Sequence, residues 1–521
     1  MDILKRIYGW AQDFSSNSPS VFWLTGEAGS GKSTIAYSLA RHFDGQEADE
    51  EEDEGEGDAL QDVPKILGAN FFCSRQFEET RLKKNIIPAI VDQLARNSQS
   101  YADALLKANN FDSVNTTSKQ MKDLLVDPWM QSVSEHRAET SSLLVIVDAL
   151  DEIEDRGGSA FLKELLRMTE KSHLQGLKFF ITSRPDADLA KLCSSFTSDA
   201  VCALYDVPTD TVKADIATYL QEKLPKLRGM PVINELMRQA DGLFIFAATA
   251  VRYITPRPKM LKREQVRLLG ELGIHADGST GLRNANASPI DALYKQVMFT
   301  AFGGLNDNLL QDRLYALHTL LCTQERVSTS VAGELHSEDP EMAELVELVV
   351  EELHAVLHVK EDRVLWYHAS FPDFIFSQER SGNVLLSTDS RVVDMHCDEA
   401  AQHARLAHSC FRIMKSHLRF NICDLPSSFL LDSEVSNLKD RIRANIGEGL
   451  RYSCLHWAQH FAQASSGDGR REIGDFLQLG VLFWIEAMNL LESRAQCAPM
   501  LQQARECILK VRILCYIVDS R

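Results

Sequence analysis

Residues Thr25–Ala36 read TGEAGSGKSTIA, and the spacing G-x-x-x-x-G-K-[ST] within them is that of a phosphate-cradling loop. Gly26, Gly29 and Gly31 let the backbone turn tightly and aim successive N–H groups at phosphate oxygens. A short apolar run, Val21–Thr25, precedes the loop. A helical pattern with Ile35, Leu39 and Phe43 on one face follows it, so the positive N-terminal end of that helix adds to the anion site. In such a loop Lys32 reaches the β- and γ-phosphates, Ser33 ligates Mg²⁺, and Ser30 and Thr34 complete the turn around them. The same string arises by chance in ordinary chains, but the strand-loop-helix setting argues against accident.

Two further stretches share the setting. In LLVIVDALDE a continuous apolar strand ends at Asp148, which sets a carboxylate at the carboxyl edge of a sheet, where α/β ligands bind. Asp148 there can hold Mg²⁺ directly or through water. Asp151 or Glu152 can polarise an attacking water, although acids also gather at helix N-termini for electrostatic reasons alone. In KFFITSRPD a strand delivers Arg184 to the same edge, where a guanidinium can touch the γ-phosphate; the plain alternative is a surface ion pair. The step from Asp148 to Arg184 fits one strand-helix-strand crossover. Ile66–Cys73 reads as another strand, and Ile86–Ala95 and Phe161–Met168 as helices. Strands apolar on both faces, alternating with helices, predict an α/β fold: a parallel sheet with helices on either side.

With 521 residues and 45% hydrophobic content, the chain is expected to form several cored domains. Eleven cysteines without C-x-x-C spacing read as reduced thiols of a cytoplasmic protein. No apolar run reaches membrane-spanning length and no secretory signal opens the chain, so no membrane partner is expected. The net charge is −19. Glu47–Asp58, with nine carboxylates and no base, repels itself too strongly to pack, and residues 47–62 read as a disordered insert. An acidic balance disfavours nucleic acid as a ligand.

Beyond about residue 205 the pattern changes. Residues 206–272 read as a small helical domain and 273–289 as a Gly/Ala/Ser/Asn-rich linker. Within 290–381, helices precede a hairpin of His354–Val359 and Val364–Ser370 around KEDR, which predicts a winged helix. Residues 390–521 show only helical periodicity, with Trp457 and Trp484 on apolar faces.

In this order the three motifs resemble those of the NACHT branch of STAND P-loop NTPases, nearest to the nephrocystin-3-type modules of fungal NOD-like receptors. The carrying residues are VFWLTGEAGSGKSTIA, FFCSR, LLVIVDALDE, KFFITSRPD, GLFIFAATAVRYI, SPIDALYKQV and YHASFPDFI. The resemblance implies a nucleotide-binding domain over 1–205, the small helical domain, the winged helix and a helical extension. It implies that ADP holds a closed state and that exchange for ATP permits self-association through the NACHT domain, toward an effector protein the sequence does not name. GTP is not separated from ATP. It also implies that His368, in YHASFPDF, touches the β-phosphate, and it makes Arg75, in FFCSR, a weaker nucleotide contact. The expected N-terminal effector domain and C-terminal repeats are not in the sequence, so the chain is expected to be a NACHT core or an incomplete gene product.

Three rivals differ in class. A DNA-binding winged helix is disfavoured by sixteen acidic against six basic residues over 290–381. A metabolic kinase leaves the later domains unexplained. A hydrolysis-deficient nucleotide-binding scaffold remains open, since filled motif positions do not establish turnover.

Overall fold

The computed structural model describes residues 2–15, 18–45, 65–108, 116–135, 142–172, 174–185, 201–204, 209–275, 288–385, 392–427, 429–464 and 470–519. The acidic insert expected over 47–62 and most of the linker expected over 273–289 lie outside them. Two compact units emerge, one essentially Met1–Ile254 with Met260–Gly270, the other essentially Leu282–Arg521.

The first unit is built on a five-stranded parallel sheet of β1 (Val21–Thr25), β2 (Leu67–Phe72), β3 (Leu143–Asp148), β4 (Leu177–Ser183) and β5 (Val201–Ala203), in the order β2-β3-β4-β1-β5. Alternation explains why the strands are apolar throughout. Trp23, Val145, Val147, Phe179 and Ile181 face one core with the helices Ile86–Asn97 and Gly157–Ser172. Phe22, Leu24, Leu144, Ile146 and Phe180 face the other, with α1 (Asp2–Gln12) and α2 (Lys32–Asp44). A strand covered on both faces has no polar side to display.

Sequence reasoning found four of these strands. It missed β5, whose three residues are too short for a periodic signal, and the helices Gln99–Ala108 and Asp127–Glu135. Lys178 breaks the apolar run of β4 for a local reason. Its ammonium donates to the Trp10 carbonyl and to Ser18 Oγ, both at 2.7 Å, and lies 4.6 Å from the Trp10 ring. It thereby adds a second donor to a carbonyl at the C-terminal end of α1, which also accepts the Asp13 N–H at 3.2 Å, and ties that helix to the sheet. Burial lowers its pKa to about 8.

In the second unit the helices Pro289–Phe302, Asp307–Cys322, Thr329–His336 and Glu341–Glu352 precede an antiparallel hairpin, Leu357–Lys360 with Arg363–Trp366. The strands differ from those expected. Lys360 pairs with Arg363, so the turn is only Glu361 and Asp362, both with positive φ (51° and 58°), as a two-residue hairpin with matched twist requires. His354–Val356 and Tyr367–Ser370 therefore fall outside the strands, and His368 sits in the connection to the helix Ser370–Ile375. Within the region read as helical only, Val392–Val393 pairs with Val384–Leu385. Trp457 and Trp484 are fully buried and meet edge-on with ring centroids 5.8 Å apart. Among the described residues no single helix is long and apolar enough to cross a membrane.

Candidate functional site

The site forms where β1, β3 and β4 end together. Thr25 aligns with Ser183, and Val147 with Ile181, so Asp148 emerges beside Thr182. Thr182 Oγ1 donates to Asp148 Oδ1 at 2.5 Å and accepts from the Ala149 N–H at 2.8 Å. This hydroxyl fixes both the carboxylate and the turn after it, where Ala149 takes a left-handed conformation (φ 52°). Ser33 also hydrogen-bonds to Asp148. Burial nonetheless raises the Asp148 pKa, against the lowering by Thr182, Ser33 and Lys32.

The loop from β1 to α2 uses left-handed backbone at Gly29 (φ 78°) and Gly31 (φ 94°), the latter being the N-cap of α2. The N–H groups of Lys32, Ser33 and Thr34, in the first turn, have no acceptor within the helix. Ser33 and Thr34 are exposed. Lys32 is buried, and its ammonium donates to the Gly26 carbonyl at 2.7 Å and the Glu27 carbonyl at 2.8 Å. Burial lowers its pKa, opposed chiefly by Asp151, and it also feels Arg184, Asp148 and Glu152. The five charged side chains thus share one electrostatic environment.

Asp151 and Glu152 lie on the 3₁₀ turn Leu150–Glu152, not on an α-helix N-terminus. They differ in what holds them. Asp151 accepts the Arg184 N–H at 2.9 Å and pairs with Arg184 Nε at 3.0 Å. Glu152 accepts the Arg75 N–H at 3.1 Å, while Arg75 Nη2 donates to the Asp151 carbonyl at 3.4 Å. Burial, the largest influence, raises the Glu152 carboxyl to about 7 against the lowering by Arg75 and Arg184. One carboxylate is therefore paired with an arginine side chain, and the other keeps its proton to a higher pH than an ordinary glutamate.

Two features escaped sequence reasoning. Thr182 stands two residues before Arg184, where only its hydroxyl hinted at a polar partner. The other is not the helix Phe244–Ile254 of the same unit, which was read as helical, but the seating of its first turn on the loop. The Ile245 N–H donates to the Gly29 carbonyl at 3.2 Å. A Cβ on Gly29 would fall 2.0 Å from Ile245 Cγ2 and 2.5 Å from Ile245 Cβ. Gly29→Ala is therefore expected to push this helix off the loop and to destabilise the chain by on the order of 2 kcal/mol. Urea unfolding measures this; an unchanged midpoint would contradict the close seating.

His368 belongs to the second unit. Its Nδ1 accepts the Ser370 N–H at 3.1 Å and lies 2.7 Å from Ser370 Oγ, which is 2.8 Å from the Tyr294 hydroxyl. Asp291 pairs with Arg380 at 2.6 Å. The stretches SPIDALYKQV and YHASFPDFI thus meet through the Tyr294 and Ser370 hydroxyls.

The donor set fits a magnesium-bound polyphosphate. An ammonium, the amides of a helix start, a hydroxyl and a carboxylate converge, and Thr25 Oγ1 and Ser30 Oγ are buried polar atoms without a hydrogen-bond partner among the described residues. No curated protein matches the chain. Residues 5–184, which contain the glycine loop, the acidic turn and Arg184, match the family model described as Nephrocystin 3, N-terminal, a family related to NACHT-like proteins. This match and the parallel sheet together fit a nucleotide-binding fold.

Proposed function

We propose that the chain is a nucleotide-dependent switch of the NACHT type, which binds ATP or ADP, or the guanine equivalents, with Mg²⁺ and hydrolyses the triphosphate slowly. The observation that carries this reading is the buried Lys32 ammonium at the first turn of α2, in electrostatic reach of Asp148, Asp151, Glu152 and Arg184. Lys32 and the turn's amides bind the phosphates. Ser33 and Asp148, already hydrogen-bonded to each other, would hold Mg²⁺, which supplies charge neutralisation between the phosphates; a magnesium site of this kind keeps waters and uses few protein ligands.

The division of the acidic turn supports separate roles. Asp151 orients Arg184 toward the γ-phosphate, and Glu152 takes the proton of the attacking water. Seating of the helix Phe244–Ile254 on the loop gives nucleotide a route to the helices that follow it. The test is mass analysis of nucleotide released by heat from protein purified without added nucleotide, with magnesium-dependent calorimetry beside it. Near-stoichiometric diphosphate supports a latched resting form; no nucleotide released and none taken up rejects the reading.

The resemblance to NACHT modules implies that His368 touches the β-phosphate in the resting form. A ligand shifts a conformational equilibrium only by its difference in affinity for the two forms. His368→Leu is therefore expected to weaken diphosphate binding roughly tenfold and to increase self-association, read by calorimetry and light scattering. If both stay as in the parent, His368 has no part in the switch. Self-association and an effector protein are the partners this reading requires.

A further inference from the structure

Two buried cysteines of the second unit lie together, far from the glycine loop in sequence. Cys322 ends the helix Asp307–Cys322, and Cys397 immediately precedes Asp398, the N-cap of the helix Glu399–His417. Their sulfurs are 3.7 Å apart although the residues are 75 positions apart in the chain. Cys322 is 5% and Cys397 1% exposed.

Their surroundings are built rather than incidental. His318, one turn before Cys322, approaches the Met395 carbonyl through Nε2 at 3.2 Å and hydrogen-bonds to Cys397. Thr319 Oγ1 accepts from Gln402 Nε2 at 3.0 Å, and the Cys397 N–H donates to the Ile375 carbonyl at 3.0 Å. The last turn of one helix is thus docked by side chains against the entry to another. A disulfide needs sulfurs about 2.05 Å apart, so closure must draw these two sulfurs in from 3.7 Å.

The two thiols are not equivalent. A hydrogen bond from Cys322 is the largest influence on the Cys397 thiol and lowers it, with burial opposing and His318 adding to the lowering, while Cys322 is held well above its ordinary value. Other buried cysteines behave as burial dictates: Cys410 is pushed up to about 12 and Cys454 is raised as well. Among the described residues no set of three His, Cys, Asp or Glu side chains suits a metal ion, so a metal does not explain the pair.

We infer that Cys322 and Cys397 form a peroxide-responsive dithiol, which closes to a disulfide that locks the helix Asp307–Cys322 to the start of the helix Glu399–His417. Burial of both thiols disfavours bulky oxidants, so the oxidant class proposed is a small neutral one, hydrogen peroxide. The Cys397 thiolate attacks one peroxide oxygen and the O–O bond breaks. Sulfur keeps an OH as the sulfenic acid, and the departing hydroxide takes the proton released by the thiol and leaves as water. The Cys322 sulfur then attacks the sulfenic sulfur, the S–O bond breaks, and the hydroxide leaves with the Cys322 proton as a second water. Two thiols become one disulfide while peroxide is reduced to two waters.

The test treats the native chain with hydrogen peroxide, blocks remaining thiols, and maps peptides without reduction. The expected product is a Cys322–Cys397-linked peptide as the main cross-link, removed by dithiothreitol. In Cys322→Ser the reaction should stop at a sulfenic acid on Cys397, trapped when the peroxide-treated protein is unfolded in the presence of dimedone; in Cys397→Ser, Cys322 should stay unreacted. If these variants do not fold, the map of the unmodified chain decides alone. Recovery of both cysteines as free thiols while the more exposed Cys507 is oxidised overturns the inference, as does a main cross-link through any other cysteine.

Discussion

Protein carrying Lys32→Ala is expected to leave purification without nucleotide and to bind added ATP or ADP at least on the order of a hundredfold more weakly than the parent. Each charge-assisted hydrogen bond from the ammonium is worth about 1.5–3 kcal/mol, and each 1.4 kcal/mol is about tenfold in affinity. Lys32 has two acceptors in the loop, the Gly26 and Glu27 carbonyls, so its ammonium is already aimed and little ordering remains to be done when phosphate arrives. The same substitution also removes a buried charge whose desolvation is unfavourable. Folding stability should therefore change much less than binding, which separates loss of a ligand contact from loss of the fold. Calorimetry and a thermal melt on the same sample measure both. A variant that still carries stoichiometric nucleotide would falsify the assignment of the loop.

Glu152→Gln should have the opposite profile. Nucleotide is expected to stay bound, while turnover falls by about 10²–10⁴, the usual contribution of a positioned proton acceptor. The pH dependence gives a second reading. With the Glu152 carboxyl at about 7, the charged form that accepts a proton grows in as pH rises through 7, so the parent rate should climb between pH 6 and 8 and the variant should be flat. Stability runs the other way. The folded chain holds this proton more tightly than the unfolded chain does. The contribution is therefore complete below the ordinary glutamate value near 4.5 and disappears as pH rises through about 7. Steady-state phosphate release across that range is the measurement. A Gln variant within threefold of the parent would move the role to Asp151, despite its pairing with Arg184, or leave a binding scaffold without turnover.

The legible part of the site was the part contiguous in the chain. Gly26 to Thr34 is one turn and the start of one helix, so residue type and spacing carry its geometry directly. Asp148 was legible for a related reason: an unbroken apolar strand must be buried, and its first polar residue must lie at the sheet's edge; Arg184 was legible as the charged residue that directly follows another strand. The hairpin was legible in kind but not in register. Glu361 and Asp362 adopt positive φ without the Gly or Asn that usually announces such a turn. The choice between Asp151 and Glu152 was not legible, because neighbours on one turn look alike until their partners are known.

By itself the sequence determined four of the five strands, the burial of both sheet faces, and the tight glycine turn between β1 and α2. All of these follow from periodicity and local backbone preference. Only the tertiary structure decided which side chains meet: Thr182 with Asp148, Asp151 with Arg184, Ile245 against Gly29, and Cys322 with Cys397. Those pairings depend on sheet register and on how helices seat after long crossovers. A residue's chemical type limits its possible partners, but packing selects among them.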